Sequence, residues 1–288
     1  MTSCGMVSGM AASCSTLSFA QRGGQVNHLK RYFACRRSKR LRKSPLRRYC
    51  EDAVTVVAIA WVALTAFPRL LFAHSEAIGQ ITFYADEPLP KEIRTVSERA
   101  VERLQTTPTF KPTDMLHVFI ANSLWRRVIL IPASLNAYGA ANIWTGNIVL
   151  GRCDIKNDVA YNARPKWNER PLHEVIAHEC THVLLQRRVG FVRYLSIPTW
   201  KNEGYCECIA GGGSFDRTLG ETMLASGKDD NSPAFRYLKF SMAVSAVLQQ
   251  CKADHVECLG QPTTFEAALE SAIQKLKKGE PGVGADSR

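Results

Sequence analysis

The chain has 288 residues, 45% of them hydrophobic, and a formal net charge of +11. Its first 50 residues hold eleven Lys or Arg and no Asp or Glu, so the other 26 basic residues balance the 26 acidic ones and the rest is formally neutral. The basic pI therefore belongs to an N-terminal arm, which excludes a polybasic folded body. The run Arg36-Arg37-Ser38-Lys39-Arg40-Leu41-Arg42-Lys43 carries no aromatic interleaving and no nucleic-acid fold signature, so nucleic acid is a poor partner for it.

The neighbour of that basic arm explains it better. Ala53 to Phe67 is a stretch of 15 uncharged residues, and it resumes at Leu70-Leu71-Phe72-Ala73 after Pro68-Arg69. Fifteen helical residues cover roughly 22 Å, short of a hydrocarbon core of ~30 Å. Extending the span to residue 73 gives about 31 Å if Arg69 snorkels outward, with Pro68 as a possible kink. The sequence thus predicts a basic cytoplasmic arm at 1–50 and a single-pass signal anchor at 51–74. By the positive-inside rule, all that follows lies outside the cytoplasm. The alternatives are a cleaved signal peptide ending at Ala73-His74-Ser75, an organelle transit peptide, and an ordinary buried helix.

The remaining chain, 76–278, is long enough for one well-packed domain, with 279–288 as a polar tail. Ile81-Thr82-Phe83-Tyr84 reads as a strand. Pro90 to Leu104 reads as an amphipathic helix with Ile93, Val96, Ala100 and Leu104 inward. Met115 to Ile120 is a second strand, and Val128 to Ile131 a third. His117, alone in an apolar run, is structural. Tyr138 to Leu150 reads as a hairpin or edge strand with glycines at its bends, and 151–170 as a polar loop.

The next segment carries the chemistry. Pro171 suits a helix start, Leu172, Val175, Ile176, Val183 and Leu184 form an apolar stripe, Arg187 and Arg188 fit the last turn, and Gly190 stops the helix. Within it lies His178-Glu179-Cys180-Thr181-His182, an H-E-x-x-H pattern. Histidines four apart share one helix face, where one tetrahedral Zn²⁺ can accept both. Glu179 projects beside the metal, placed to take a proton from a water there. His173 and Glu174 read as surface groups, and Cys180 as a core thiol facing away. Twenty residues after His182 comes Thr199-Trp200-Lys201-Asn202-Glu203-Gly204-Tyr205-Cys206-Glu207, a second helix with two carboxylates four apart.

Here the chain resembles the gluzincin zinc metallopeptidases of the peptidase MA-like group. Their pattern is H-E-x-x-H, then roughly twenty residues, then a W-x-x-E-G-x-x-[DE] helix. The resemblance spans about 110–215. It implies Zn²⁺ held by His178, His182 and Glu203, with Glu207 behind a ligand histidine to orient it. It also implies that the strand before the motif helix is an exposed edge that binds extended peptide; an ordinary sheet edge is the alternative. The spacer is slightly longer than in the aminopeptidase branch, and Cys206 and Cys208 depart from it. These thiols are not needed for that ligand set, although a redox or structural-metal role is open to them.

Ala234 to Gln250 reads as a helix, and Thr263-x-x-Glu266 as a capping box opening another that runs to Lys277. Of six cysteines beyond the apolar segment, Cys251 and Cys258 suit a local loop closure. The expected fold is α+β and zincin-like: a small mixed sheet, the motif helix, and a mainly helical C-terminal half. The expected function is a membrane-anchored zinc metallopeptidase cleaving peptide or protein outside the cytoplasm. Gluzincins often use a downstream Tyr or His to stabilise the oxyanion, and the resemblance makes Tyr237 and His255 candidates, with no motif to distinguish them. The alternative is a catalytically inactive, zinc-binding scaffold that holds peptides or proteins.

Overall fold

The computed structural model describes residues 44–162, 169–251 and 253–278. The expected tail at 279–288 and most of the basic arm fall outside them. The chain divides into two compact units, Met1–Trp61 and Val62–Arg288.

Helix α1 (Pro45–Ala66) has no buried residue among its 22, and its most apolar window has a mean hydropathy of 1.4. Its length of about 33 Å and its composition suffice to cross a hydrocarbon core. The predicted span to residue 73 is corrected in two ways. The helix starts earlier, with Arg47 paired to Glu51 one turn on. It also ends at Ala66, because Phe67 precedes Pro68 and leaves the helical region (φ −123°, ψ 59°). Pro68–Leu71 is then a separate 3-10 turn.

The larger unit opens with strand β1 (His74–Ile78), which pairs antiparallel with β2 (Ile81–Ala85). Strand β2 alternates as its sequence does, with Ile81, Phe83 and Ala85 inward. Helix α2 (Ile93–Gln105) buries Ile93, Val96, Ala100 and Leu104, as the 3.6-residue period predicts. Strand β3 (Leu116–Ile120) follows, parallel to β2. The strand expected at 128–131 is instead part of helix α3 (Leu124–Leu130). A four-residue apolar run fits either state, and here Val128 faces solvent while Leu130 and Ile131 pack inward.

Strands β4 (Gly139–Asn142) and β5 (Asn147–Leu150) form the predicted hairpin, turned by Gly146 at φ +71°. The first sheet has five strands in the order β1-β2-β3-β5-β4, so β4 is an edge. Strand β5 is buried at every position because it runs inside the sheet, parallel to β3. The expected loop at 151–170 holds a second, three-stranded sheet: β6 (Cys153–Asp154), β7 (Val159–Tyr161) and β8 (Glu169–Pro171). Residues 163–168 lie outside the described residues.

The C-terminal half is helical: α4 (Leu172–Val189), α5 (Phe191–Ser196), α6 (Thr199–Ala210), α7 (Arg217–Ala225), α8 (Pro233–Gln250), α9 (His255–Leu259) and α10 (Phe265–Lys277). Three helices carry side-chain caps: Asp216, Ser232 and Asp254 accept from Leu219, Phe235 and Val256 backbone N–H groups. The cap of α10 is Thr264, whose hydroxyl accepts from Ala267 N, rather than Thr263. The capping-box reading therefore runs one residue early. Cys251 and Cys258 form the disulfide that their spacing suggests. One core joins both halves. Ile81, Phe83, Leu116, Ile148 and Leu150 from the sheet meet Leu172, Ile176 and Leu184 from α4 and Tyr205 from α6. Each such side chain contributes about 1.5–3 kcal/mol of burial.

Candidate metal centre

Helix α4 runs through the middle of the core, with Leu172 and every residue from Val175 to Leu185 buried. Its start is capped from elsewhere. Pro171 has no side-chain group to offer, and the Asp158 carboxylate accepts from His173 N at 3.0 Å and pairs with His173 Nδ1 at 2.6 Å. His173 is thus no surface group. Glu174 is not solvated either: it is largely buried beside Arg170 at 3.5 Å, and burial raises its carboxyl pKa. Cys180 is fully buried, as expected for a core thiol.

His178 and His182 are both buried, and their Nε2 atoms lie 3.2 Å apart. Helix α6 brings Glu203 to them, with Oε2 3.4 Å from His178 Nε2 and 3.6 Å from His182 Nε2. Close packing makes this approach possible. A Cβ on Gly204 would collide with the Phe240 carbonyl and lie 2.7 Å from Val244 Cγ2, so only glycine lets α6 sit this near α8.

The other edges of the two rings are held by the protein. His182 Nδ1 faces Tyr194 Oη at 3.0 Å, Asn202 Oδ1 at 3.2 Å and Cys206 Sγ at 3.3 Å. Asn202 also donates to Tyr194 Oη at 2.9 Å. His178 Nδ1 lies 3.2 Å from Glu207 Oε1, at ion-pair distance but off the hydrogen-bond axis. Glu207 is gripped by Arg170 through two bonds, of 2.9 and 2.8 Å, and Arg170 also donates to the Gly212 carbonyl. The spacing of the motifs points to Glu207. Tyr194, Asn202 and Arg170 carry no such signal, since each reaches the site through tertiary packing.

His178, His182 and Cys206 form a buried group that could hold a metal ion, with donor atoms within 4.8 Å of one another. The electrostatics favour a cation. Burial disfavours a charged His178, but Glu207 and Glu203 outweigh it and lift its pKa to about 10. Burial likewise opposes an ionised Glu203, yet the two histidines hold its carboxyl well below the usual range. Burial, then Glu203, Glu179 and Glu207, push the Cys206 thiol well above its ordinary pKa. This is a pocket with surplus negative charge.

No protein-family model matches the chain, and no curated protein matches it. The site is therefore read from its own geometry.

A cavity of about 770 Å³ opens onto His178, Glu179, His182 and Glu203, and it is lined also by the 132–141 segment and by Tyr237. Strand β4 comes close here: a Cβ on Gly139 would meet Glu179 Cγ at 3.2 Å. Tyr237 thus faces the cavity, with its hydroxyl pKa raised to about 12 by burial and then by Glu203 and Glu207. His255 is not among the lining residues and bonds to Tyr205 Oη at 3.2 Å. His117 lies on β3, 3.4 Å from Tyr84 Oη, in keeping with a structural role.

Proposed function

We propose that the chain is a membrane-anchored zinc metallopeptidase with a zincin-like catalytic unit and a gluzincin-type ligand set of His178, His182 and Glu203. One observation carries this reading: the Nε2, Nε2 and Oε2 atoms converge at 3.2, 3.4 and 3.6 Å on the wall of a cavity that also presents Glu179. Donors at zinc bond lengths in a tetrahedral shell stand about 3.3 Å apart, so the three atoms fit one ion. Cys206 fits less well, because it lies against the Nδ1 edge of His182, the edge turned away from His178. Glu207 behind His178, and Asn202 and Tyr194 behind His182, supply the outer partners that ligand histidines need.

Zinc bound there would act as a Lewis acid and bring the pKa of water toward ~7. Glu179 is placed to hold the proton that water gives up and to pass it to the leaving amine. Tyr237, which also lines the cavity, has a phenol that stays protonated at neutral pH and can donate to the developing oxyanion. Strand β4 is the sheet edge beside Glu179, which suits an extended peptide held by main-chain bonds. Helix α1 supports the anchor reading. Cleavage after Ser75 would remove the first two residues of β1, which are paired with Ala85 and Tyr84, and this favours an uncleaved anchor over a signal peptide.

The test is zinc affinity by chelator competition in Glu203→Ala and Cys206→Ala variants. Glu203→Ala should lose affinity sharply, as three protein ligands become two, while Cys206→Ala should keep most of it. The reverse order would assign the site to His178, His182 and Cys206 and leave Glu203 outside it.

A further inference from the structure

Beyond the metal centre, the larger unit carries large apolar side chains that stay exposed among the described residues. Trp144 is 78% exposed, Val192 82%, Leu195 60%, Phe67 58% and Leu70 74%. They are linked by contacts. Ala66, the last residue of α1, accepts a hydrogen bond from Asn147 Nδ2 at 3.3 Å, at the base of the β4–β5 hairpin. Trp144 sits on that hairpin, where Asn142 Oδ1 accepts from its backbone N–H at 3.0 Å. Its ring lies 4.0 Å from that of Phe191, the first residue of α5, which also carries Val192 and Leu195. Phe67 follows Ala66 directly, and Leu70 lies in the 3-10 turn after it.

We infer that this face, Phe67, Leu70, Trp144, Val192 and Leu195, rests on the surface of the bilayer that α1 enters. The inference stands on the anchor reading of α1. Continuity argues for lipid as the occupant. Wherever an anchor ending at Ala66 leaves the hydrocarbon, the Asn147 bond holds the hairpin at that point, and a Trp beside it lies at headgroup level. Tryptophan is favoured there because its ring is apolar and its N–H can reach water. The polar groups agree. Arg69 and Arg188 are exposed, and Arg69 and Arg187 both lie close enough to His117 to add to the depression of its pKa by burial. Exposed basic side chains near an apolar face can reach the phosphate oxygens of lipid headgroups. Helix α5 then has two roles, since Tyr194 points inward from it to His182. Docking fixes the helix that orients a candidate ligand.

The experiment uses the full chain reconstituted in phosphatidylcholine–phosphatidylglycerol vesicles whose acyl chains carry bromine either next to the headgroup or deeper. Tryptophan emission is compared for the wild type, Trp144→Phe and Trp61→Phe, so that each difference isolates one indole. Trp61 is five residues before the end of α1, about 7.5 Å along its axis. The expected result is loss of the Trp144 emission with the shallow bromine and of the Trp61 emission with the deeper one. Quenching of Trp61 with Trp144 untouched would leave the anchor standing and overturn the docked face. No quenching of either would overturn the anchor, and the docked face with it.

Discussion

Glu207 shows how much a single buried side chain is asked to do here. It is 4% exposed, holds Arg170 by two hydrogen bonds and lies against His178. Truncating it to alanine would leave the buried Arg170 guanidinium with only Glu174 and the Gly212 carbonyl, and breaking a buried pair costs up to about 3–5 kcal/mol. Glutamine keeps the shape and one acceptor, so Glu207→Gln is the cleaner probe. Zinc affinity in chelator competition should fall by roughly 10–100-fold, the range for outer-shell partners. Unchanged affinity would reduce Glu207 to a structural partner of Arg170. Glu207 was visible from the sequence through the gluzincin resemblance, whose second helix carries a carboxylate four residues after the ligand glutamate. Arg170, Asn202 and Tyr194 were not visible, because their contacts depend on how β8, α5 and α6 pack.

At the level of elements, the placement of α4 rests on Asp158, a residue in the β7 turn with φ +53°. Burial raises its carboxyl pKa, but the hydrogen bonds from His173 outweigh burial and hold it below the usual value. Asp158→Gly removes these bonds while keeping the backbone comfortable, and should destabilise the protein by about 1 kcal/mol. A depressed carboxylate stabilises the fold above its unfolded pKa and loses that effect as pH falls through the folded one. In denaturant titrations the penalty should therefore be full near neutrality, begin to shrink near the unfolded value of pH ~3.8, and be lost only as pH falls through the lower folded value. A penalty that persists in acid would mean the charge is not its source. The α6–α8 contact is a second test. Gly204→Ala should cost about 1–3 kcal/mol by overpacking and weaken zinc binding through Glu203. An unchanged unfolding midpoint would show that the helices part easily. Neither device could be read from the sequence, where Asp158 sits in a polar stretch and the strands around it are two or three residues long. Periodicity needs longer elements than these. It served well for α2, α4 and α8, and it failed for the short apolar run at 128–131.

For the molecule as a whole, the sequence carried the α+β class, the hairpin edge, the helical C-terminal half and the two motif helices. What it lacked was how far apart those helices sit and which residues brace them. The central claim is that this arrangement performs hydrolysis rather than only holding an ion. Glu179 separates the two, since metal binding does not need it. The decisive measurement is peptide hydrolysis by the zinc-loaded full chain and by Glu179→Gln, with metal content determined on the same samples. Wild-type cleavage, with equal zinc and at least a ~10²-fold lower rate in the variant, is the predicted result. Full activity in Glu179→Gln, or a zinc-loaded wild type that cleaves nothing in a broad peptide library, would contradict it.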